Sequence, residues 1–171
     1  MAATQAIYLT GGEINYKAVP SCERYCILTD QWFPAPDLNV ARTSHSSCAQ
    51  GRFLFVFCGC NDTGSLNSIE QLDTEADTNG SATQWNLISV SPDVLSGRFW
   101  PLVVAINPTE ILIMGGISGR EYKSDVYIFN TATQEVTLDE SSLKLSHSDK
   151  EFGFNCPKNQ SYVTRKREVI A

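Results

Sequence analysis

Three short apolar runs recur along the chain, and small residues follow each of them. The runs are residues 7–9, 53–58 and 111–114, and the first glycines after them stand at positions 11, 59 and 115, which are 48 and 56 residues apart. Residues 53–57 and 111–114 are apolar without alternation, a pattern typical of strands that are buried on both faces. Self-similarity at a period of about 50 residues indicates a repeat architecture, in which neighbouring units cover one another.

Two further strand-like segments follow each apolar run. The first of them are residues 22–28, 68–72 and 125–129. After a polar turn, the next segment opens with Trp32 in one unit and Trp85 in another, 53 residues apart, whereas Val136 stands near that place in the last unit. Arg42 and Arg98, which are 56 residues apart, lead into the units that follow. Each unit is therefore predicted to be a small meander of antiparallel strands.

This pattern resembles the kelch repeat, in which an apolar run, a Gly-Gly doublet, a spaced aromatic residue and a Trp form one four-stranded blade. The resemblance covers roughly residues 7–140. The residues that carry it are Gly11, Gly12, Gly59, Cys60, Gly115, Gly116, Tyr25, Tyr127, Trp32 and Trp85. The chain departs from the family in using Gly59-Cys60 as its second doublet, in lacking a third Trp, and in having Leu72 where Tyr is usual.

The resemblance implies an all-β, kelch-type β-propeller segment of about three four-stranded antiparallel blades, which does not close a ring. The blades are expected at about residues 5–40, 43–92 and 99–140. Residues 141–171 are expected to start a further blade, within 152–156 and 162–171, or to form a tail with little chain left to complete the first blade. Because propellers close with 4 to 8 blades, we expect a fragment, or a protomer whose further blades come from a longer chain or other subunits.

One face of such a meander is the candidate binding surface. Antiparallel strands bring the loops after the glycine doublets and the links between units to the same edge, and loops on a rigid scaffold commonly carry recognition. The segments concerned are residues 13–17, 42–45, 61–67, 98–100 and 117–123. The candidate partner-binding residues are Arg42, His45, Asn61, Asp62, Asn67, Arg98, Arg120 and Tyr122. Because Arg42 and Arg98 recur at the repeat period, we expect them to join blades as well.

Charge and composition narrow the class of partner. A net charge of −6 and a pI near 4.8 disfavour nucleic acids and anionic membranes as partners. No secretory signal is visible, and no apolar run approaches the ~20 residues of a membrane helix, so a cytoplasmic location is expected. The six cysteines show no metal-binding spacing and are expected to be reduced core residues.

No motif in the chain indicates catalysis. His45 and His147 lack the spacing of a zinc site, and residues 115–119 lead from strand to strand and not into a phosphate-binding helix. We therefore expect a protein-interaction module that has no cofactor and is not an enzyme. The family resemblance leaves three alternatives open: substrate recruitment for a ubiquitin ligase, as in relatives with a BTB domain; an actin-associated scaffold; and a propeller enzyme such as a copper oxidase or sugar epimerase.

Overall fold

The computed structural model of the chain describes residues 6–78, 84–140 and 163–165, which form strands and one short helix, α1 (Thr74–Thr78). Three four-stranded sheets make up most of it. Sheet 1 contains β1 (Ala6–Thr10), β4 (Cys22–Cys26), β5 (Gln31–Ala35) and β18 (Val163–Arg165). Sheet 2 contains β6 (Ser46–Gln50), β7 (Phe53–Phe57), β10 (Ile69–Asp73) and β11 (Asn86–Ile88). Sheet 3 contains β12 (Leu102–Asn107), β13 (Glu110–Met114), β16 (Val126–Asn130) and β17 (Glu135–Leu138).

Three two-stranded hairpins complete the described fold. Their strands are β2 (Glu13–Ile14) with β3 (Lys17–Ala18), β8 (Cys60–Asn61) with β9 (Gly64–Ser65), and β14 (Ile117–Ser118) with β15 (Glu121–Tyr122). All the strand pairs are antiparallel, and none of the sheets closes on itself. The predicted all-β antiparallel class is therefore confirmed, whereas the blade boundaries remain a prediction.

The three sheets share one strand order. Sheet 2 runs β6-β7-β10-β11, and sheet 3 runs β12-β13-β16-β17, so each is a simple meander. Sheet 1 runs β18-β1-β4-β5 and takes its first strand from far along the chain, with Ile7 opposite Arg165 and Leu9 opposite Val163. The expectation that the tail has too little chain to complete this sheet was wrong. Three residues are enough, because the fourth strand needs to match only the centre of β1.

Two apolar clusters hold the sheets in a stack. Between sheets 1 and 2, Tyr8 and Cys22 pack with Leu54, Val56 and Trp85. Between sheets 2 and 3, the cluster contains Phe55, Phe57, Ile111, Ile113 and Phe129. Strand β7 contributes alternate residues to both clusters, which explains why its sequence is apolar at every position.

The glycine doublet of sheet 2 is Cys58-Gly59 and not the predicted Gly59-Cys60. The amides of Gly11, Cys58 and Gly115 each donate to a carbonyl just before the next long strand, at 2.9, 3.0 and 3.1 Å. All three residues have positive φ, 55°, 59° and 60°, and a positive φ follows at Gly12, Gly59 and Gly116. Cysteine thus occupies a left-handed position that usually favours glycine, and Cys60 belongs to the next strand.

The strand pairing also corrects which residues are equivalent at the position of the spaced aromatic residue. Tyr25 lies opposite Ile7, Leu72 opposite Leu54, and Phe129 opposite Ile111, so these three residues are equivalent. Tyr127, which the sequence comparison matched to Tyr25, lies two residues earlier on the same face of β16. Its hydroxyl donates to Asp125 Oδ2 at 3.0 Å. Counted from Gly11, Cys58 and Gly115, the equivalent residues stand at the same distance in all three units (25 − 11 = 72 − 58 = 129 − 115 = 14), so the loops after the doublets are equal in length.

The two tryptophans occupy equivalent places but differ in environment. Trp32 lies opposite Tyr25, and Trp85 follows the same register beside Leu72. Trp85 is 3% exposed, and its Nε1 donates to the Pro36 carbonyl across the interface at 2.8 Å. Trp32 is 54% exposed. A preceding sheet covers Trp85, whereas no described residue covers Trp32 in this way.

Several sequence predictions lie outside the described residues. These are His147, Cys156 and the proposed strand at 152–156, and 163–165 is the described part of the 162–171 segment. The five described cysteines are free thiols. Burial raises the pKa of Cys22 to about 11 and that of Cys58 to about 12, so both thiols stay protonated at neutral pH.

Candidate functional site

The three small hairpins form one side of the molecule, which we call the hairpin face. It consists of β2–β3, β8–β9 and β14–β15 together with the two links, residues 42–45 and 98–100. Each hairpin follows a glycine doublet, and β3 contacts β8 of the neighbouring hairpin. Thr43 pairs with Cys60 and Phe99 with Ile117, so each link lies beside a hairpin. The predicted gathering of these loops at one edge is thus observed.

The main chain of each link also bonds the preceding sheet. The Gly12 amide donates to the Arg42 carbonyl, and the Gly59 amide donates to the Arg98 carbonyl, both at 2.9 Å. A Cβ atom on Gly59 would lie 2.7 Å from the Thr43 carbonyl oxygen. Only glycine allows so close an approach, and the doublets are therefore the points where successive sheets are joined through their backbones.

The side chain of Arg42 lies entirely in the interior. It donates from Nη1 to the Cys58 carbonyl at 2.7 Å, and from Nη2 to Glu70 at 2.7 Å and to Ser68 Oγ at 3.1 Å. Neither Arg42 nor Glu70 exposes any of its side chain. Burial is the main cause that lowers the pKa of Arg42, and the charge of Glu70 opposes it. Arg42 is thus a buried connector in this chain.

Arg98 repeats this arrangement with a more exposed partner. Its Nη1 donates to the Gly115 carbonyl at 3.0 Å and to Asp125 at 2.6 Å, and its guanidinium lies 5.1 Å from the centre of the Tyr127 ring. Burial lowers the pKa of Arg98. The hydrogen bond with Asp125 and the negative charge of Asp125 outweigh this effect, so the pKa of Arg98 is raised. Asp125 keeps 28% of its side chain exposed, whereas Arg98 exposes none.

His45 is also interior. It packs against the backbones of Gly11 and Gly59, and its Nε2 lies 3.0 Å from Thr10 Oγ1 across the interface between sheets 1 and 2. Burial lowers the pKa of His45 to about 4, and the charge of Arg42 adds to the effect. The imidazole is therefore neutral at physiological pH.

The other predicted residues divide into turn-formers and exposed side chains. Asn61 accepts from the Thr63 amide at 2.9 Å, and Asn67 donates to the Val90 carbonyl at 2.7 Å, so both shape the loop around β8–β9. Asp62, Arg120 and Tyr122 are exposed on the hairpins. These three side chains are available to a partner, while the partner-binding role of the whole set stays a prediction.

Two exposed aromatic residues were not singled out in the sequence. Tyr16 is 92% exposed and forms, with Asn15, the two-residue turn between β2 and β3. Both residues have positive φ, 51° for Asn15 and 63° for Tyr16, as in the primed turns of hairpins. Trp100 is partly exposed on the second link, also has a positive φ of 54°, and stacks edge-on with Phe99. For Tyr16, the only sequence signal of this exposed position is that Asn15-Tyr16 can form a two-residue turn.

Charges on the hairpin face are mixed. The exposed acidic groups there are Glu13, Asp62 and Glu121, and the basic groups are Lys17, Arg120 and Lys123. Lys123 is paired with Glu121 at 2.6 Å, which lowers the pKa of Glu121. The described residues contain no cluster of three or more His, Cys, Asp or Glu side chains suited to a metal ion. The described part of the chain also contains no helix long and apolar enough to span a membrane.

Comparison with known proteins gives distant similarity to one kind of relative, and no family model matches the chain. The chain is 25% identical over 155 residues to the Kelch repeat and BTB domain-containing protein 2 of Cowpox virus (strain GRI-90 / Grishak). It is 24% identical over 155 residues to the Horsepox virus protein of the same name. Both matches cover 83% of this chain and 28% of the relative's length. This similarity and the antiparallel all-β architecture together indicate kelch-like repeats.

Proposed function

We propose that the chain is a non-catalytic protein-interaction module that holds a partner protein on its hairpin face. The names of the poxvirus relatives, which combine kelch repeats with a BTB domain, support an interaction module in general. The chain spans 28% of the length of these relatives. We therefore propose a function for this segment and not the activity of a whole relative.

The observation that carries the proposal is the conformation of Tyr16. Tyr16 holds the second position of a primed hairpin turn, where glycine is preferred, at φ 63°, and its side chain is 92% exposed. Non-glycine residues at such backbone angles cluster at functional sites, so an aromatic residue that is retained there and fully exposed supports a binding role. Tyr16 on the first hairpin is joined on the same face by Trp100 and Tyr122.

Exposed Tyr and Trp side chains are suited to anchor a protein interface. They contribute large apolar areas together with one hydrogen-bonding group, and they are enriched among the residues that dominate binding energy. The mixed charges around them indicate that long-range attraction contributes little. We therefore propose a partner surface with apolar pockets, and we leave the buried residues Arg42, His45 and Arg98 out of the contact set.

A photo-crosslinking experiment tests the proposal. A benzophenone amino acid at position 16 or 122 is expected to capture a partner from cell extract, whereas the same group at position 28 is not. Leu28 is 73% exposed in the turn between β4 and β5, at the other end of sheet 1, and serves as the matched control. Equal capture from all three positions would contradict the proposed surface.

The captured partner then allows a quantitative test. Changing both Tyr16 and Tyr122 to Ala is expected to weaken binding about 30-fold or more, corresponding to about 2 kcal/mol, while Leu28→Ala leaves the Kd unchanged. The Kd is also expected to change little with salt concentration, because the charges on the face are balanced. Full affinity in the Tyr16→Ala, Tyr122→Ala variant would refute the role of these anchors.

The relatives' names favour one more specific version of this function. Because they contain a BTB domain, we propose substrate recruitment for a ubiquitin ligase as the second candidate. In cells that contain the crosslinked partner, the wild-type chain would then increase its ubiquitylation, and the Tyr16→Ala, Tyr122→Ala variant would not. Binding without any change in ubiquitylation would leave the interaction module and exclude recruitment.

A further inference from the structure

Arginines in this chain are held by carboxylates, whether they are buried or partly exposed. Four of them have an Asp or Glu oxygen within 3.1 Å. These pairs are Arg24 with Asp77, Arg42 with Glu70, Arg52 with Asp73, and Arg98 with Asp125. Among the arginines whose side chains the structure describes, only Arg120 is exposed without an ion pair or a hydrogen bond. Arg120 thus departs from the way in which this chain holds its other arginines.

The carboxylate that follows Arg120 in the sequence is already engaged. Glu121 accepts from Lys123 Nζ at 2.6 Å, and this pairing lowers the pKa of Glu121. Gly119 and Arg120 form the two-residue turn between β14 and β15, so the side chain of Arg120 begins at the tip of its hairpin. A Cβ atom on Gly119 would meet no atom within 4 Å, so the tip has open space around it. A partner can therefore reach the guanidinium without any movement of this chain.

The excess of acid in the chain makes an unpaired arginine informative. The sequence has 19 Asp and Glu residues against 13 Lys and Arg residues, so carboxylates outnumber cations. Lys17 on the first hairpin also has no ion pair with the described residues, but its ammonium is compact and strongly hydrated, so water satisfies it. A guanidinium is more weakly hydrated, and its planar fork of N–H donors matches the two oxygens of a carboxylate. Arg120 is therefore suited to take an acidic group from outside the chain.

The position of Arg120 is equivalent to that of Tyr16. Each stands five residues after the first residue of its doublet, Gly115 or Gly11, and each is the second residue of a two-residue turn. Tyr122, which is 65% exposed, follows Arg120 by two residues on the return strand of the same hairpin. A partner that covers Tyr122 therefore comes within reach of Arg120.

We propose that Arg120 binds a carboxylate of the partner, beside the apolar side chains that cover Tyr122. This contact rests on the function proposed above for the hairpin face, and it specifies the partner's contact segment as one with an Asp or Glu next to apolar residues. Paired N–H donors of the guanidinium hold both carboxylate oxygens. Asp62 and Glu121 lie exposed on the same face and disfavour a phosphate, which carries more negative charge. Since the face as a whole has as many acidic as basic groups, this contact selects the partner at close range and adds little long-range attraction.

Selection of random peptides displayed on phage tests the chemistry of the partner. Against the 171-residue chain we expect peptides in which an Asp or Glu stands near apolar or aromatic residues. Against the Arg120→Met variant, the acidic residue is expected to lose its enrichment while the apolar residues keep theirs. Arg52→Met is the matched control, because it removes the same charge from a side chain that is 52% exposed in the turn between β6 and β7, at the other end of the sheets. This control is expected to select the same acidic peptides as the wild-type chain.

Calorimetric titration with one selected peptide measures the contact itself. Arg120→Met is expected to weaken binding about 5-fold, the upper end for an exposed ion pair, and Arg120→Lys is expected to restore only part of the loss because an ammonium lacks the planar fork. Arg120→Glu should bind a peptide whose acidic residue is changed to Arg more tightly than it binds the original peptide, since the pair is restored with reversed charges. An unchanged Kd in Arg120→Met, or no such rescue by charge reversal, would overturn the contact.

The tyrosine variant separates failure of this contact from failure of the hairpin face. A selection that yields no peptide weakened by the Tyr16→Ala, Tyr122→Ala variant would contradict the proposed function, and the Arg120 contact with it. Peptides that depend on the two tyrosines but bind Arg120→Met as tightly as the wild-type chain would leave the function and exclude the carboxylate contact alone. A phosphoserine in place of the acidic residue that binds about 10-fold more tightly or better would show a phosphate site and overturn the choice of a carboxylate.

Discussion

Replacing Arg42 by Met is the sharpest test of how the sheets are held together. The substitution keeps most of the apolar stem but removes the guanidinium that bonds Cys58, Ser68 and Glu70. Glu70 would then be a carboxylate with a fully buried side chain and no cation beside it. The amides of Asn39 and Val40, at 2.6 and 3.1 Å, would be left to stabilise its charge.

The size of the effect follows from this geometry. Breaking a buried ion pair by removing one partner costs about 3–5 kcal/mol, and the remaining amide donors favour the lower end, about 3 kcal/mol. Arg98→Met should cost less, about 1–2 kcal/mol, because water reaches the partly exposed Asp125 and can replace part of the lost contact. In the Arg42→Met background, Glu70→Gln should restore at least about 1 kcal/mol, since the stranded charge is removed.

Urea unfolding followed by circular dichroism, at one fixed protein concentration, measures these free energies of unfolding. Lys123→Met is the control, because its ion pair with the exposed Glu121 should contribute nothing measurable. A loss below about 1 kcal/mol for Arg42→Met would refute the buried-charge reasoning. Further destabilisation on adding Glu70→Gln would refute it as well.

Two other changes test the packing around the doublets. Because the folded pKa of His45 is about 4 and its ordinary value is 6.5, the unfolded chain takes up the proton first as pH falls. Stability should therefore be complete above pH 6.5 and decrease by about 3 kcal/mol towards pH 4, and urea titrations of His45→Gln should lack this decrease. Gly59→Ala would place a Cβ 2.7 Å from the Thr43 carbonyl oxygen, whereas Gly51→Ala would place one in open space. The first variant should therefore lose about 2 kcal/mol more of the free energy of unfolding than the second. Equal melting temperatures of the two variants would show that the close approach at Gly59 is unimportant.

The repeat order could be predicted from sequence because it depends on local patterns. The run at β7 is apolar at every position because it packs against sheets on both sides, and a single sequence shows this directly. The recurrence of Arg42 and Arg98 at the repeat period indicated that they join the units. Their burial was not predictable, since it depends on Glu70 and Asp125 reaching the same interior point from another strand.

The details that the sequence analysis missed depend on backbone geometry or on distant pairing. Cys58 in a left-handed conformation cannot be distinguished from an ordinary strand residue by residue type, so the doublet was placed one position late. The left-handed conformation of Tyr16 is likewise a property of the turn and not of the side chain. The pairing of Val163 with Leu9 involves positions so far apart that no local pattern signals it.

That last pairing also sets an order of events during synthesis. Sheets 2 and 3 use only strands that are neighbours in the chain, so they can form while the ribosome is still translating the remainder. Sheet 1 has only three strands until residues 163–165 emerge, and its final ladder joins positions 158 residues apart. Since closing so long a loop is slow, one edge of β1 stays unpaired in the nascent chain until residues 163–165 emerge, and an unpaired edge can pair with strands of other chains.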